Sequence, residues 1–224
     1  MNSLKTALTL PPYTRKEEIC NMVTHIVGGA FGIFVLVLCL IRSVLSGEMI
    51  SVVCSAVYGS SIILLFTMSS IYHGLVPIKA KKVFRVIDHC TIYLLIAGTY
   101  TPIVLVSLRA VSPIKAWVLF AVVWTSALVA IILTAIDMHK FRVFSMVAYL
   151  AMGWCVLFCL KETILAVGKE GMWLIFIGGV LYTIGAVIYI IGKKNNVQYV
   201  HSVFHVFVLF ACLLHFFAIF LYVL

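Results

Sequence analysis

The chain has 224 residues, of which 64% are hydrophobic and only 10% are charged, and its mean hydropathy is +1.21. Soluble domains contain about 45–50% apolar and about 25% charged residues, so this composition excludes an ordinary soluble protein. The net charge of +9 comes from 16 Lys and Arg against 7 Asp and Glu; in a membrane protein such an excess reports topology rather than nucleic-acid binding.

The apolar runs are continuous, whereas an outer-membrane barrel alternates polar and apolar residues in segments of about ten. Seven runs reach the length of about 20 residues that a helix needs to cross the bilayer. We therefore predict an all-α integral membrane protein, a seven-transmembrane helical bundle, with a short segment at 1–16 and one membrane domain at 17–224. The predicted spans are 20–41, 50–72, 87–108, 115–136, 143–161, 171–191 and 200–223.

The Lys and Arg residues are divided unequally between the two ends of these spans. Eleven of the 16 fall on the side of the N-terminus and five on the other side. By the positive-inside rule, the N-terminus is cytoplasmic and the C-terminus lies outside.

Ionisable residues within membrane spans are costly, so they are candidate functional residues. Placed by the predicted topology, nearly all of them fall in one layer at the cytoplasmic end. They are Glu17, Glu18, His25, His73, Asp88, His89, His201 and His205. The topology was inferred from Lys and Arg alone, so this clustering is independent evidence for a site.

His201 and His205 are four residues apart, which places them on one helix face about 6 Å apart, within reach of one metal ion. His73 can supply a third ligand, as in the three-His sites of catalytic zinc. Asp88 then either holds a metal-bound water or binds the ion directly. Zinc is favoured over copper because no Met or Cys is in phase with the histidines, and over iron because three imidazoles suit tetrahedral zinc. His215 is about 21 Å further along the helix and cannot share the ion.

Two of these patterns have ordinary explanations. An isolated HxxxH pair at a helix end often consists of interfacial side chains that extend to water, although a third His and an Asp in the same layer favour the metal. The hydroxyl of Ser69 can face His73 from one turn deeper, or it can bond back to the carbonyl of Leu65.

A further polar stripe lies at the start of the first span, at spacings i, i+3 and i+7. Its members are Glu18, Asn21 and His25. Acidic residues are favoured at helix N-termini by the helix dipole, which accounts for part of this signal.

Together these motifs resemble the hemolysin III branch of the progestin and adipoQ receptor family. The matching motifs are Glu18-x-x-Asn21-x-x-x-His25, Ser69-x-x-x-His73, Asp88 in DHCTIYLLIAGTYTP, and His201-x-x-x-His205 followed by His215. The resemblance extends from Glu17 to Tyr222. It implies seven spans with a cytoplasmic N-terminus, in the inner (plasma) membrane of a bacterium.

The adiponectin-receptor members of that family bind zinc near the cytoplasmic face. Carried over to this chain, the resemblance implies that His73, His201 and His205 hold zinc, that Asp88 holds the metal-bound water, and that Ser69 supports the site. The family is grouped with alkaline ceramidases, which implies hydrolysis of a lipid amide. The extended N-terminal region of the receptors has no counterpart before Glu17, so hormone signalling is not expected.

The favoured function is therefore that of a zinc-dependent hydrolase acting on membrane lipids. Two alternatives stay open: a non-catalytic protein of membrane-lipid homeostasis or sensing with structural zinc, and a membrane-lytic, hemolysin-like activity. A pore or transporter fits poorly because the spans lack mid-membrane charges. Nucleic acid is not expected as a partner, and the substrate, the oligomeric state and any protein partner are left open.

Overall fold

The computed structural model describes residues 10–224, and over this range it is helical and contains no strand. Most of the predicted N-terminal segment, residues 1–16, lies outside the described residues. The helices are α1 (Arg15–Ser46), α2 (Met49–Gly74), α3 (Ile78–Pro102, continued by a π-helix at Ile103–Leu108 and a last turn at Arg109–Val111), α4 (Pro113–Asp137), α5 (Arg142–Trp154, continued by a 3₁₀ segment at Cys155–Cys159), α6 (Leu160–Lys194) and α7 (Val200–Tyr222).

Six helical stretches between residues 10 and 224 are long and apolar enough to cross a membrane. They are Arg15–Ser46, Met49–Gly74, Ile78–Val111, Pro113–Asp137, Arg142–Lys194 and Val200–Tyr222. All six expose large apolar side chains on their outer surface. These features confirm the all-α prediction and identify a multi-pass integral membrane protein.

The stretch Arg142–Lys194 folds back on itself at Gly168. This glycine has φ 74° and ψ 170°, a non-helical conformation that residues with a Cβ atom rarely adopt. Across the break, the Trp154 indole donates a hydrogen bond to the Thr183 hydroxyl at 3.2 Å. In one straight helix these residues would lie about 44 Å apart, so the two halves are neighbours that run in opposite directions.

Helix α1 begins at a capping box. The side chain of Thr14 accepts a hydrogen bond from the backbone N–H of Glu17, whose carboxylate accepts one from the backbone N–H of Thr14. These bonds satisfy donors that a helix N-terminus leaves unpaired. The other carboxylate oxygen of Glu17 accepts from the backbone N–H of Tyr199 at 3.0 Å. Glu17 therefore joins the start of α1 to the start of α7.

Helices α1 and α2 approach each other closely through small residues. A Cβ atom on Gly28 would overlap the ring of Phe66, and a Cβ atom on Gly59 would lie 2.6 Å from the Cβ of Leu36. Small residues allow membrane helices to pack at such short separations. The close packing brings the first turn of α1 next to the last turn of α2, where His73 lies.

Candidate metal centre

Three histidines converge where α2 ends and α7 begins. One ring nitrogen each from His73, His201 and His205 lies within 4.8 Å of the other two, and no other group of three or more His, Cys, Asp or Glu residues in 10–224 comes together in this way. The His73 and His205 side chains are buried and His201 is half-buried. The ring centroids are 4.3 to 5.4 Å apart. The three ligands predicted from the sequence are thus brought to one place.

The tautomers suited to metal binding follow from the hydrogen bonds of His205 and His73. The Thr24 hydroxyl donates to the carbonyl of Asn21 at 2.9 Å, so its oxygen is left to accept from Nδ1 of His205 at 3.1 Å. Nδ1 of His73 donates to Oε2 of Glu18 at 2.6 Å. Fixing the proton on Nδ1 leaves the lone pair of Nε2 for a metal ion in both rings.

Of the nitrogens that remain, Nε2 of His73 is buried and has no hydrogen-bond partner. Nε2 of His205 lies 3.0 Å from Nε2 of His201, which can donate to it. Tetrahedral zinc with bonds of about 2.0–2.1 Å would hold its nitrogens about 3.3–3.4 Å apart. All spacings in the cluster are within 4.8 Å, so the widest exceeds the zinc-bound spacing by at most about 1.5 Å, which side-chain rotation covers. These residues therefore fit a metal ion bound by three imidazoles.

The polar stripe of α1 faces this cluster. The ring of His25 stacks on that of His205 with centroids 3.6 Å apart, and both its nitrogens are buried without partners. The Oδ1 atom of Asn21 accepts a hydrogen bond from the Ser202 hydroxyl at 2.6 Å. His25 and Asn21 therefore pack α1 on α7, and Glu18 is the member of the stripe that hydrogen-bonds to a candidate ligand, His73.

Asp88 lies beside the cluster rather than in it. Its carboxylate is buried, close to Ser69 and His73, and 3.6 Å from Nδ1 of His89, but it is not among the ligand atoms that lie within 4.8 Å of one another. The hydroxyl of Ser69 is buried without a hydrogen-bond partner, so the alternative in which it bonds back to Leu65 is wrong.

His215 is separate from the cluster. Its Nε2 lies 3.1 Å from the carbonyl oxygen of Ile175, and its ring is against Gly178 on α6. The structure therefore gives it a packing role between α6 and α7.

Sequence reasoning missed Lys81, which it counted only as a positive charge near the membrane boundary. In the structure Lys81 is 9% exposed, and its Nζ lies 2.9 Å from Oε1 of Glu18. Tyr13 was also missed: its ring stacks on that of His201 with centroids 5.3 Å apart. Burial raises the pKa of the Tyr13 hydroxyl, which stays neutral at physiological pH. Lys81 lies seven residues before Asp88, on the same face of α3, which is a spacing signal that could have found it. Tyr13 precedes α1, so no helical spacing indicated it.

A groove of about 590 Å³ leads to the cluster between the start of α1 and the α2–α3 connection. Its walls include Glu18, His73 and Lys81 together with the apolar side chains of Met22 and Val76. This volume falls within the range of about 300–1,000 Å³ that is usual for small-molecule sites.

Residues 13–216 match the protein family described as "Haemolysin-III related". The chain belongs to this family. It is 36% identical to "Hemolysin-3" of Bacillus cereus over 209 residues, which cover 93% of both chains. It is 34% identical to "Hemolysin-3 homolog" of Bacillus subtilis strain 168 over 210 residues, or 94% of this chain and 96% of the relative.

A more distant relative is the human "Monocyte to macrophage differentiation factor". It is 27% identical over 176 residues, which cover 74% of this chain and 68% of that protein. No solved structure shows a significant match. The family membership confirms the hemolysin III resemblance inferred from the motifs.

Proposed function

We propose that this hemolysin III-like protein holds a zinc ion through His73, His201 and His205 and hydrolyses an amide bond of a membrane lipid. One observation carries the metal: Nε2 of His73 is buried and unpaired in the centre of the cluster, while Glu18 occupies Nδ1. A buried polar atom without a partner is costly, and a metal ion would satisfy it. The cluster has no Cys ligand among the described residues, which favours zinc over copper(I).

The chemistry divides between the ion and the side chains around it. Bound at this site, zinc would act as a Lewis acid and lower the pKa of water to about 7. Asp88, a buried carboxylate near the histidines, would accept a proton from the attacking water and return it to the leaving amine of the lipid amide. The unpaired Ser69 hydroxyl lies next to Asp88 and can orient its carboxylate. Glu18 keeps the His73 ring in the orientation that directs Nε2 at the ion.

The groove supports a lipid substrate. It joins the cluster to a surface at the membrane boundary, where Ile19 and Val76 are 48% and 86% exposed. The groove is lined by exposed apolar side chains, the exposed Arg15 and the buried His73 and Lys81. This combination matches an amphiphile with its reactive group between chain and headgroup. Membrane lipids are therefore the partners that we propose.

We further propose seven spans with the N-terminus in the cytoplasm. The two halves of Arg142–Lys194 on either side of Gly168 are each about 39 Å long, which is enough for one crossing each. An odd number of spans places the termini on opposite sides, and the Lys and Arg distribution places the metal centre at the cytoplasmic face. The bacterial relatives support the plasma membrane as the location.

A second function has support from the same geometry. His73 is on α2 whereas His201 and His205 are on α7, and these helices are far apart in the sequence. An ion between them would act as a structural clamp, because it stabilises the folded state that brings its ligands together. In that case the protein would act in lipid homeostasis without turnover.

Metal analysis of the purified full-length protein tests the centre. We expect one zinc per chain by inductively coupled plasma mass spectrometry. The double variant His201→Ala/His205→Ala should lose it, because one remaining imidazole cannot hold the ion. His215→Ala is the matched control on the same helix and should keep the zinc. Stoichiometric zinc in the double variant would eliminate the proposed site.

A further inference from the structure

Lys81 is held in an unusual environment for a lysine. Its side chain is 11% exposed, and Nζ is 2.9 Å from Oε1 of Glu18. It also donates to the backbone carbonyls of Leu75 at 3.2 Å and His73 at 3.4 Å, and it lies over the ring of Tyr72. Lysine is almost never buried unless it is paired. This one is paired with α1 and α2 at the same time, although it belongs to α3.

The two oxygens of Glu18 are divided between two partners. Oε2 accepts from Nδ1 of His73 at 2.6 Å, and Oε1 is bound to Lys81 at 2.9 Å. A carboxylate with one oxygen fixed by an ammonium has little freedom to rotate away from the other contact. The ammonium group of Lys81 therefore fixes the position of the Glu18 carboxylate, and this carboxylate fixes the orientation of the His73 ring.

We propose that Lys81 is a positioning residue of the metal centre: its ammonium group holds Glu18 against Nδ1 of His73 and so directs Nε2 at His201 and His205. This inference rests on the proposed zinc site. It differs from a role in membrane topology, which requires only a positive charge at this face. It also differs from a role in capping α2, which requires only the contacts with the carbonyls of His73 and Leu75.

The direction of the change in zinc affinity distinguishes positioning by Lys81 from a simple effect of its charge. Loss of a partner that orients a metal-ligating His costs about 10–100-fold in metal affinity. We expect that range for Glu18→Gln and about tenfold weaker zinc binding for Lys81→Met. Removal of a positive charge would by itself strengthen the binding of a cation. Weaker binding by Lys81→Met therefore opposes the simple charge effect.

The experiment measures the zinc dissociation constant by chelator competition on the purified full-length protein in detergent. The variants are Lys81→Met, Lys81→Arg, Glu18→Gln and the double variant Lys81→Met/Glu18→Gln. Lys79→Met is the matched control, because Lys79 is exposed on the same helix and its loss changes the charge equally. The thermal midpoint of each metal-free variant reports general destabilisation. If Lys81→Met does not fold, Lys81→Gln replaces it in both backgrounds.

Four results are expected. Lys81→Met weakens zinc binding about tenfold, Lys81→Arg recovers most of the loss because a guanidinium also pairs with carboxylates, and Lys79→Met does not weaken binding. In the Glu18→Gln background the Lys81→Met change does not weaken binding further, because Lys81 acts through Glu18.

Other results would overturn the inference. Unchanged affinity in Lys81→Met excludes positioning. An equal loss in both backgrounds shows that Lys81 acts through the α2 carbonyls instead. Wild-type protein that binds no zinc removes the metal centre itself, and the positioning role with it. If only the positioning role of Lys81 is wrong, the wild type still binds zinc and only the Lys81 variants depart from expectation. This outcome is therefore distinguishable from the absence of a zinc site.

Discussion

Replacement of Asp88 by Asn distinguishes a hydrolase from a structural clamp. The Asp88 carboxylate is buried beside the three histidines but outside their cluster of ligand atoms. Asn has nearly the same shape, so the variant removes the negative charge and the ability to accept a proton without opening a cavity. The carboxylate contact that it weakens is at 3.6 Å with His89, whose side chain is one-third exposed and can be hydrated, while loss of the charge also removes the cost of burying a carboxylate. The fold should therefore survive.

The magnitudes for metal binding and for catalysis differ. All three imidazoles remain in Asp88→Asn, so the expected loss of zinc affinity is that of an orienting neighbour, about 10–100-fold or about 1.4–2.7 kcal/mol. Loss of a general base costs about 10²–10⁴ in rate, or about 2.7–5.4 kcal/mol in the activation barrier. With zinc in excess, we expect a zinc-loaded, folded and inactive protein.

The assay compares lipid composition, by mass spectrometry, in a strain that lacks the gene and carries each variant. Wild type should restore the composition and Asp88→Asn should not, while zinc analysis of the purified variants confirms loading. Asp137→Asn is the matched control, since it removes a carboxylate charge from the α4–α5 connection, away from the cluster. Full restoration by zinc-loaded Asp88→Asn would refute catalysis and leave the structural clamp as the function.

Two further predictions concern the fold. Alkaline phosphatase fused after Leu224 should be active because the C-terminus is expected outside; a stable but inactive fusion would contradict seven spans with a cytoplasmic N-terminus. Gly28→Ala should destabilise the protein by about 1–3 kcal/mol, because its methyl group would overlap the buried Phe66 ring. Gly29→Ala, whose Cβ would meet only the Thr67 hydroxyl at 4.0 Å, should be neutral or slightly stabilising. Equal thermal midpoints for the two variants would show that α1 and α2 do not pack as described.

Some helix boundaries differ from the predicted spans for a simple reason. The first apolar run was predicted from residue 20, but α1 begins at Arg15 because the capping box of Thr14 and Glu17 starts the helix before the apolar residues. Hydropathy reports the part of a helix that lipid surrounds, whereas hydrogen bonds at the caps determine where the helix ends. The structure interrupts the Arg142–Lys194 stretch at Gly168, which lies between the predicted spans 143–161 and 171–191.

The sequence by itself determined the class of fold and the candidate ligand pair on α7. The composition shows that most of the protein surface faces lipid and not water. The four-residue spacing of His201 and His205 places both rings on one helix face, independently of the helices that pack around them. His73 was predicted as the third candidate ligand because the Lys and Arg distribution placed it at the same cytoplasmic level as His201 and His205. All of these depend on local periodicity or on composition, which the sequence displays directly.

The tertiary structure alone decided how the candidate ligands are oriented and what surrounds them. Lys81 reaches Glu18 from another helix, and the His25 ring stacks on His205 although 180 positions separate them in the chain. Contacts of this kind depend on how far apart two helices lie and how each is rotated about its axis. For α1 and α2, the close contacts of Gly28 with Phe66 and of Gly59 with Leu36 determine both. No periodicity within one helix encodes them, because the packing of one helix against the next determines which side chains meet.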